Sequence, residues 1–195
     1  MPWPEIITHI FEYIDKSTTD GNQYSGPFNP LLTWLFPASE YYQVAPQGKY
    51  IADSNIFIMT YFIGKIISRQ LVPISFIQVM PHFAYDSNYL RRVADNQMCE
   101  RFLDLIARGT PIPEFYGISA LGTQFCVYEY IPASHHPTPL GLVPHPHFIT
   151  NTIPKEKWDL DILEPQGEAR LKEVVHHIKE MVVDIHNIVS LLLPP

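Results

Sequence analysis

At 195 residues the chain is long enough to bury an adequate core and is read as one domain. Thirteen basic against twenty acidic residues give a net charge of −7. That balance argues against general nucleic-acid binding, which rests on neutralising phosphates. Charged residues make up only 17% of the chain and apolar ones 46%, which excludes disorder as the state of most of it.

The first residues, MPWPEIITHIFEYI, carry acids and lack a basic leader region, so no signal peptide is expected. No apolar run reaches the roughly 18 residues of a membrane span; IFIMTYFIGKII is interrupted by Gly64 and Lys65. An intracellular protein without membrane contact is expected. Cys99 falls in a helical pattern and Cys126 in a strand pattern, and both are read as buried free thiols. Nineteen prolines, concentrated before residue 46 and between 111 and 165, predict long ordered loops.

In chain order, Ile6, Ile7, Ile10, Phe11 and Ile14 share one face of a helix over residues 4–16. STTDGNQYSGPFNP, residues 17–30, is loop by composition. Residues 41–47 and 51–63 predict neighbouring strands joined around Gly48, and PISFIQVM, residues 73–80, a third after a connection over 64–72. Asn88 suits the cap of a helix over 89–108, with Gly109 as its stop. On that helix Leu90, Val93, Ala94, Phe102, Leu105 and Ile106 are set against a polar side of Arg91, Arg92, Asp95, Glu100, Arg101 and Asp104.

EFYGIS and TQFCVYEYI predict a hairpin turned at Leu121-Gly122. Residues 132–165 show little periodicity, and residues 167–192 form the clearest amphipathic helix. Helix, three strands, helix, two strands, long loop and helix together predict an α/β (α+β) domain with a mixed central sheet flanked by helices.

That order, with the Asp53 strand start, PISFIQVMP, ADNQMCERF, YGISALGTQFCVYEY and KEKWDLDIL, resembles the PD-(D/E)xK or restriction-endonuclease-like superfamily. Within it, the chain resembles a group of fungal proteins of nuclease-like fold, over residues 40–185. The resemblance implies a site in which a strand-start Asp and a Glu or Asp of the next strand hold Mg²⁺, while a Lys two residues later positions water. Carried over, Asp53 matches the Asp, Gln78 takes the place of the second carboxylate and Met80 that of the Lys. Glu5 or Glu12 is a candidate helical acid; Gln97 resembles a Gln that some relatives bring to the site, with Arg101 one turn on.

The departures decide the functional expectation. Gln lacks the full negative charge that Mg²⁺ prefers, and Met has neither charge nor donor. Such chemistry is carried by electrostatic stabilisation, so losing both should remove most of the rate. Asp53 reads equally as a surviving ligand or as an ordinary turn residue. Met80, with Gln78 on one sheet face, either fills space or lines a pocket of mixed polarity. Replacement groups for a retained activity would be His82 or Asp86, or a relocated Lys49 or Lys65.

His135, His136, His145 and His147 invite a metal reading, but their segment holds no Cys or acid and no recognised ligand spacing. The expectation is a non-catalytic binding or regulatory protein taking a small molecule, peptide or nucleic acid in the former cleft, with a homodimer face as a further partner. The alternative is a divergent enzyme, either a residual Mg²⁺-dependent nuclease or a new activity in the reused cleft.

Overall fold

The computed structural model describes residues 2–18, 20–51, 56–107, 112–141 and 153–192, with side chains as far as Asp184. Among the described residues, seven strands, β1 (Tyr42–Tyr50), β2 (Phe57–Ile67), β3 (Gln70–Met80), β4 (Phe115–Leu121), β5 (Gln124–Tyr130), β6 (Pro137–Thr138) and β7 (Leu160–Asp161), form one mixed sheet. The helices are α1 (Glu5–Glu12), α2 (Ser25–Leu35), α3 (Phe83–Asp86), α4 (Asn88–Ala107) and α5 (Pro165–Leu192).

Spatial order follows chain order from β1 to β5. β1, β2 and β3 are antiparallel neighbours, β3 and β4 run parallel, and β4 and β5 form a hairpin. A parallel pair needs a crossover, and α4 lies within the one joining β3 to β4. The short strands β6 and β7 both pair with β5, at opposite ends of it.

Ring contacts and hydrogen bonds separate the two faces of the sheet. Phe76 of β3 meets Phe102 of α4 edge-on at 5.1 Å, and the Tyr128 hydroxyl of β5 donates to Asp95 of α4 at 2.7 Å. On the other face Tyr61 donates to the Ser25 carbonyl at 2.9 Å, and Tyr116 meets His177 of α5 at 5.8 Å. Helix α1 joins that second layer through Phe11, edge-on to Phe28 at 5.2 Å. The α4 layer, the sheet, and the α1–α2–α5 layer thus form an α/β sandwich.

Several sequence boundaries move. The first helix stops at Glu12, before the turn in which Asp15 accepts from the Ser17 amide and hydroxyl. Residues 25–35, partly assigned to a loop, are helical despite Pro27 and Pro30. Pro27 lies in the first turn, where its missing N–H costs nothing, while Pro30 lies inside the helix and forfeits one bond, offset as Phe28, Leu31, Leu32 and Leu35 bury a continuous stripe.

Gly48 does not end a strand. It pairs with Met59 inside β1, under the Phe57 ring, to which a Cβ would come within 2.1 Å, and β1 and β2 are closed by Ile51 N–H donating to Ile56. The expected connection over 64–72 is strand apart from Ser68 and Arg69, which both adopt positive φ, as a tight hairpin link requires. Ser87, not Asn88, accepts from the first turn of α4, and the Asn88 side chain instead holds the amide of Ile153. Gly109 lies outside the described residues.

The largest revision concerns the polar side assigned to α4. Arg91 is 6% exposed and Asp95 is fully buried. Arg91 Nε donates to the Ile153 carbonyl at 2.8 Å and its Nη1 to the Tyr85 carbonyl at 2.6 Å. The Asp95 carboxylate takes the Tyr128 hydroxyl and forms a salt bridge with Lys157, whose ammonium also donates to the Leu140 carbonyl. The helix is covered by the sheet on one side and by the 153–158 segment on another, so a one-sided pattern could not describe it.

Two substitutions test this packing. Asp95→Ala would strand Lys157 and Tyr128 and should cost about 3 kcal/mol, with Asp95→Asn costing less because its amide oxygen still accepts. Gly122 holds φ +66°, and a Cβ there would lie 2.7 Å from that of His82, so Gly122→Ala should cost about 2 kcal/mol. Urea midpoints measure both; midpoints equal to wild type would contradict the packing described.

Candidate functional site

Strand register builds the site. Gln47, Thr60, Gln78, Ser119 and Cys126 are successive cross-strand partners from β1 to β5. Side chains of directly paired residues share a sheet face, so these five form a polar row across the α4 side. Thr60, Gln78 and Ser119 are 3%, 4% and 1% exposed. Buried polar groups demand partners, and the row finds them in its covering elements. Gln78 Nε2 donates to Gln97 Oε1 of α4, and Trp158 Nε1 donates to Ser119 Oγ at 3.1 Å.

The row opens to solvent at its β1 end. There Lys49, Gln78, Gln97, Glu100, Arg101 and Asp104 line a cleft of about 50 Å³. Gln97, Glu100, Arg101 and Asp104 recur at spacings of three, one and three, so one stripe of α4 faces it. Arg101 also covers the Phe62 ring, 5.2 Å from its centroid. The cleft has room for one or two waters, whose share of liquid volume is about 30 Å³ each.

The structure brings Gln78, Gln97 and Arg101 together and adds Lys49 to them. Met80 is 1% exposed and is not among the residues lining the cleft. Asp53 lies outside the described residues, as do His145 and His147. His135 and His136 are exposed, with His135 at the left-handed end of a 3-10 turn. Glu5 and Glu12 are exposed on α1, in the layer on the far side of the sheet from Gln97. Lys65 also faces that side, its ammonium 4.1 Å from the Tyr42 ring centroid.

His82 and Asp86 follow the end of β3, outside the cleft lining. Asp86 pairs with Lys155, and burial holds the His82 imidazole below its usual range. Thr60, Ser119, Glu100 and Asp104 escaped the reading of the sequence as members of one site. Correct strand ends would have put Thr60 and Ser119 beside Gln78, and helical spacing from Gln97 would have found both acids.

The described residues, which do not include Asp53, do not make up the Mg²⁺ site that the resemblance implies. The strand position that the resemblance gives to a carboxylate has an amide, and the side-chain oxygen of Gln97 is taken up by that amide's N–H. Among the described residues no three His, Cys, Asp or Glu side chains are grouped to hold a metal ion. What the arrangement can do is hydrogen-bond: a neutral amide pair flanked by two cations and two carboxylates. Family models, curated proteins and solved structures give no match to this chain.

Cys126 is buried as expected and Cys99 only half-buried, and neither thiol is set up for covalent chemistry. Burial pushes the Cys126 thiol up to about 12, and burial followed by the nearby Asp95 charge raises Cys99. In an Ellman assay at mildly alkaline pH both should react far more slowly in the native protein than in urea. A native thiol reacting as fast as a free one would contradict this placement.

Proposed function

We propose that this chain is a non-catalytic binding or regulatory protein, intracellular, on a PD-(D/E)xK nuclease-like fold whose metal site has degenerated. The observation that carries the reading is the Gln78–Gln97 amide pair, which stands where the superfamily chemistry asks for a carboxylate. The order of β1 to β5, with β3 parallel to β4 and α4 in the crossover, supports the nuclease-like frame. The cleft recognises its occupant by hydrogen bonds and paired charges rather than by turning it over.

A second reading has its own support. Lys49, Glu100 and Asp104 line the cleft beside the amides, supplying a cation and two carboxylates from new positions. These are the groups a divergent or residual enzyme in the reused cleft would employ. Labelled single- and double-stranded DNA and RNA, incubated with the protein in Mg²⁺ or Mn²⁺, separate the two. The first reading expects substrate intact at all times. Metal-dependent cleavage lost in Asp53→Ala would overturn it, and cleavage lost in Lys49→Ala or Glu100→Gln would establish the second.

A further inference from the structure

Strand β1 ends the sheet, and among the described residues no strand pairs with its outer side. Which of its amides face outward follows from the bonds flanking it. Ile66 N–H donates to the Tyr41 carbonyl at 3.0 Å and Ile51 N–H to the Ile56 carbonyl at 2.9 Å. Tyr41 and Ile51 bracket the β1–β2 register, and the antiparallel pattern alternates residue by residue, so odd-numbered residues of β1 turn their main chain toward β2. Tyr42, Val44, Gly48 and Tyr50 therefore turn both N–H and C=O outward, and Pro46 turns out a carbonyl alone.

Both faces beside this edge are shaped. On the α4 side Gln43 and Ala45 border an apolar cavity of about 90 Å³ with Phe62, Leu71 and Pro73. Leu71 is 54% exposed at its rim. On the opposite side Pro46, Met59 and Tyr61 border a groove of about 350 Å³ together with Ser25 and Asn29. An added strand directs alternate side chains to opposite faces, so it would meet a cavity on each.

Charge selects the occupant. Residues 42–80 carry Lys49, Lys65 and Arg69 against a single acid, Asp53, whereas the rest of the chain holds ten bases against nineteen acids. The neighbours packed against this meander add Arg101 and Lys179 against Glu40, Glu100 and Asp104, so the edge keeps a small positive balance on an acidic protein. A second copy is disfavoured, because antiparallel self-pairing about Pro46 would oppose two prolines and bring like charges together.

We propose that the outer edge of β1 is a docking strand for an extended, acidic peptide segment of a partner protein, which adds to the sheet and sets an apolar side chain into the cavity beside Leu71. Lys49, Lys65 and Arg69 supply the attraction, and Tyr42, Val44, Gly48 and Tyr50 supply main-chain pairing. The inference goes beyond the cleft reading and does not rest on it.

The test uses the full chain and a fluorescein-labelled decapeptide of alternating glutamate and valine, with an alternating lysine and valine decapeptide as control, followed by anisotropy. The acidic peptide should bind about tenfold more tightly or better and weaken with salt. Leu71→Asp should weaken binding about fivefold or more, since it puts a like charge at the rim of the cavity. Val44→Pro removes an outward amide without taking a bond from β2, and should weaken binding as well.

Hydrogen exchange supplies a readout that no folding defect imitates. On binding, the amides of Tyr42, Val44, Gly48 and Tyr50 should slow, while those of Gln43, Ala45, Gln47 and Lys49 should not change. The proposal is overturned by absence of binding, by equal binding of the two peptides, or by protection without the alternation. Outward amides already protected in the free protein, with a dimer in sedimentation, would assign the edge to a second copy and equally overturn it.

Discussion

A fully buried carboxylate sets the terms for this structure. Asp95 has no water to solvate it, so it needs a cation and a donor held in place from elsewhere. Lys157 and Tyr128 meet that need from the 3-10 turn at 155–158 and from β5. One side chain thereby seats α4 on the sheet and draws the 155–158 segment over it. Arg91, one turn earlier, fixes the chain at Ile153 in the same way, through a main-chain carbonyl.

Once α4 is seated, its position over the polar row follows. Gln97 lies two residues beyond Asp95 and reaches Gln78, while Arg101 reaches Phe62 at the mouth. The inner end of the row is closed by Trp158 on Ser119, next in the chain to the lysine that satisfies Asp95. The cleft is therefore a consequence of how the helix is held. Its chemistry is that of amides, which bond well and bind hard cations poorly. The charged groups around it sit at the exposed end, where water weakens them.

Much of the fold was legible because β2 and β3 are near-continuous apolar runs and α5 carries strong apolar periodicity, and the mixed sheet with flanking helices followed from their order. The parts that escaped share a cause, namely that a tertiary contact overrode a local signal. Gly48 reads as a break but lies inside a strand under Phe57, and Pro27 and Pro30 read as loop but sit in a helix that buries Phe28 and Leu31. Arg91 and Asp95 read as a solvated helix face because their partners come from β5 and from beyond residue 150. The candidate site was legible in part: Gln78, Gln97 and Arg101 do converge, whereas Lys49 entered only as one option and Thr60 required the register. Met80 could not be assigned from alternation alone, since sharing a face with Gln78 does not give it access to the cleft.

On the proposed reading, the cleft formed by Gln78, Gln97 and Arg101 is a hydrogen-bonding site rather than a cation site. Titrating Mn²⁺ into ¹⁵N-labelled protein tests it most directly, because a bound paramagnetic ion broadens nearby amide signals beyond detection. No selective broadening of the Gln78, Gln97 and Arg101 amides is expected. Their selective loss at low Mn²⁺, reversed by excess Mg²⁺, would contradict it.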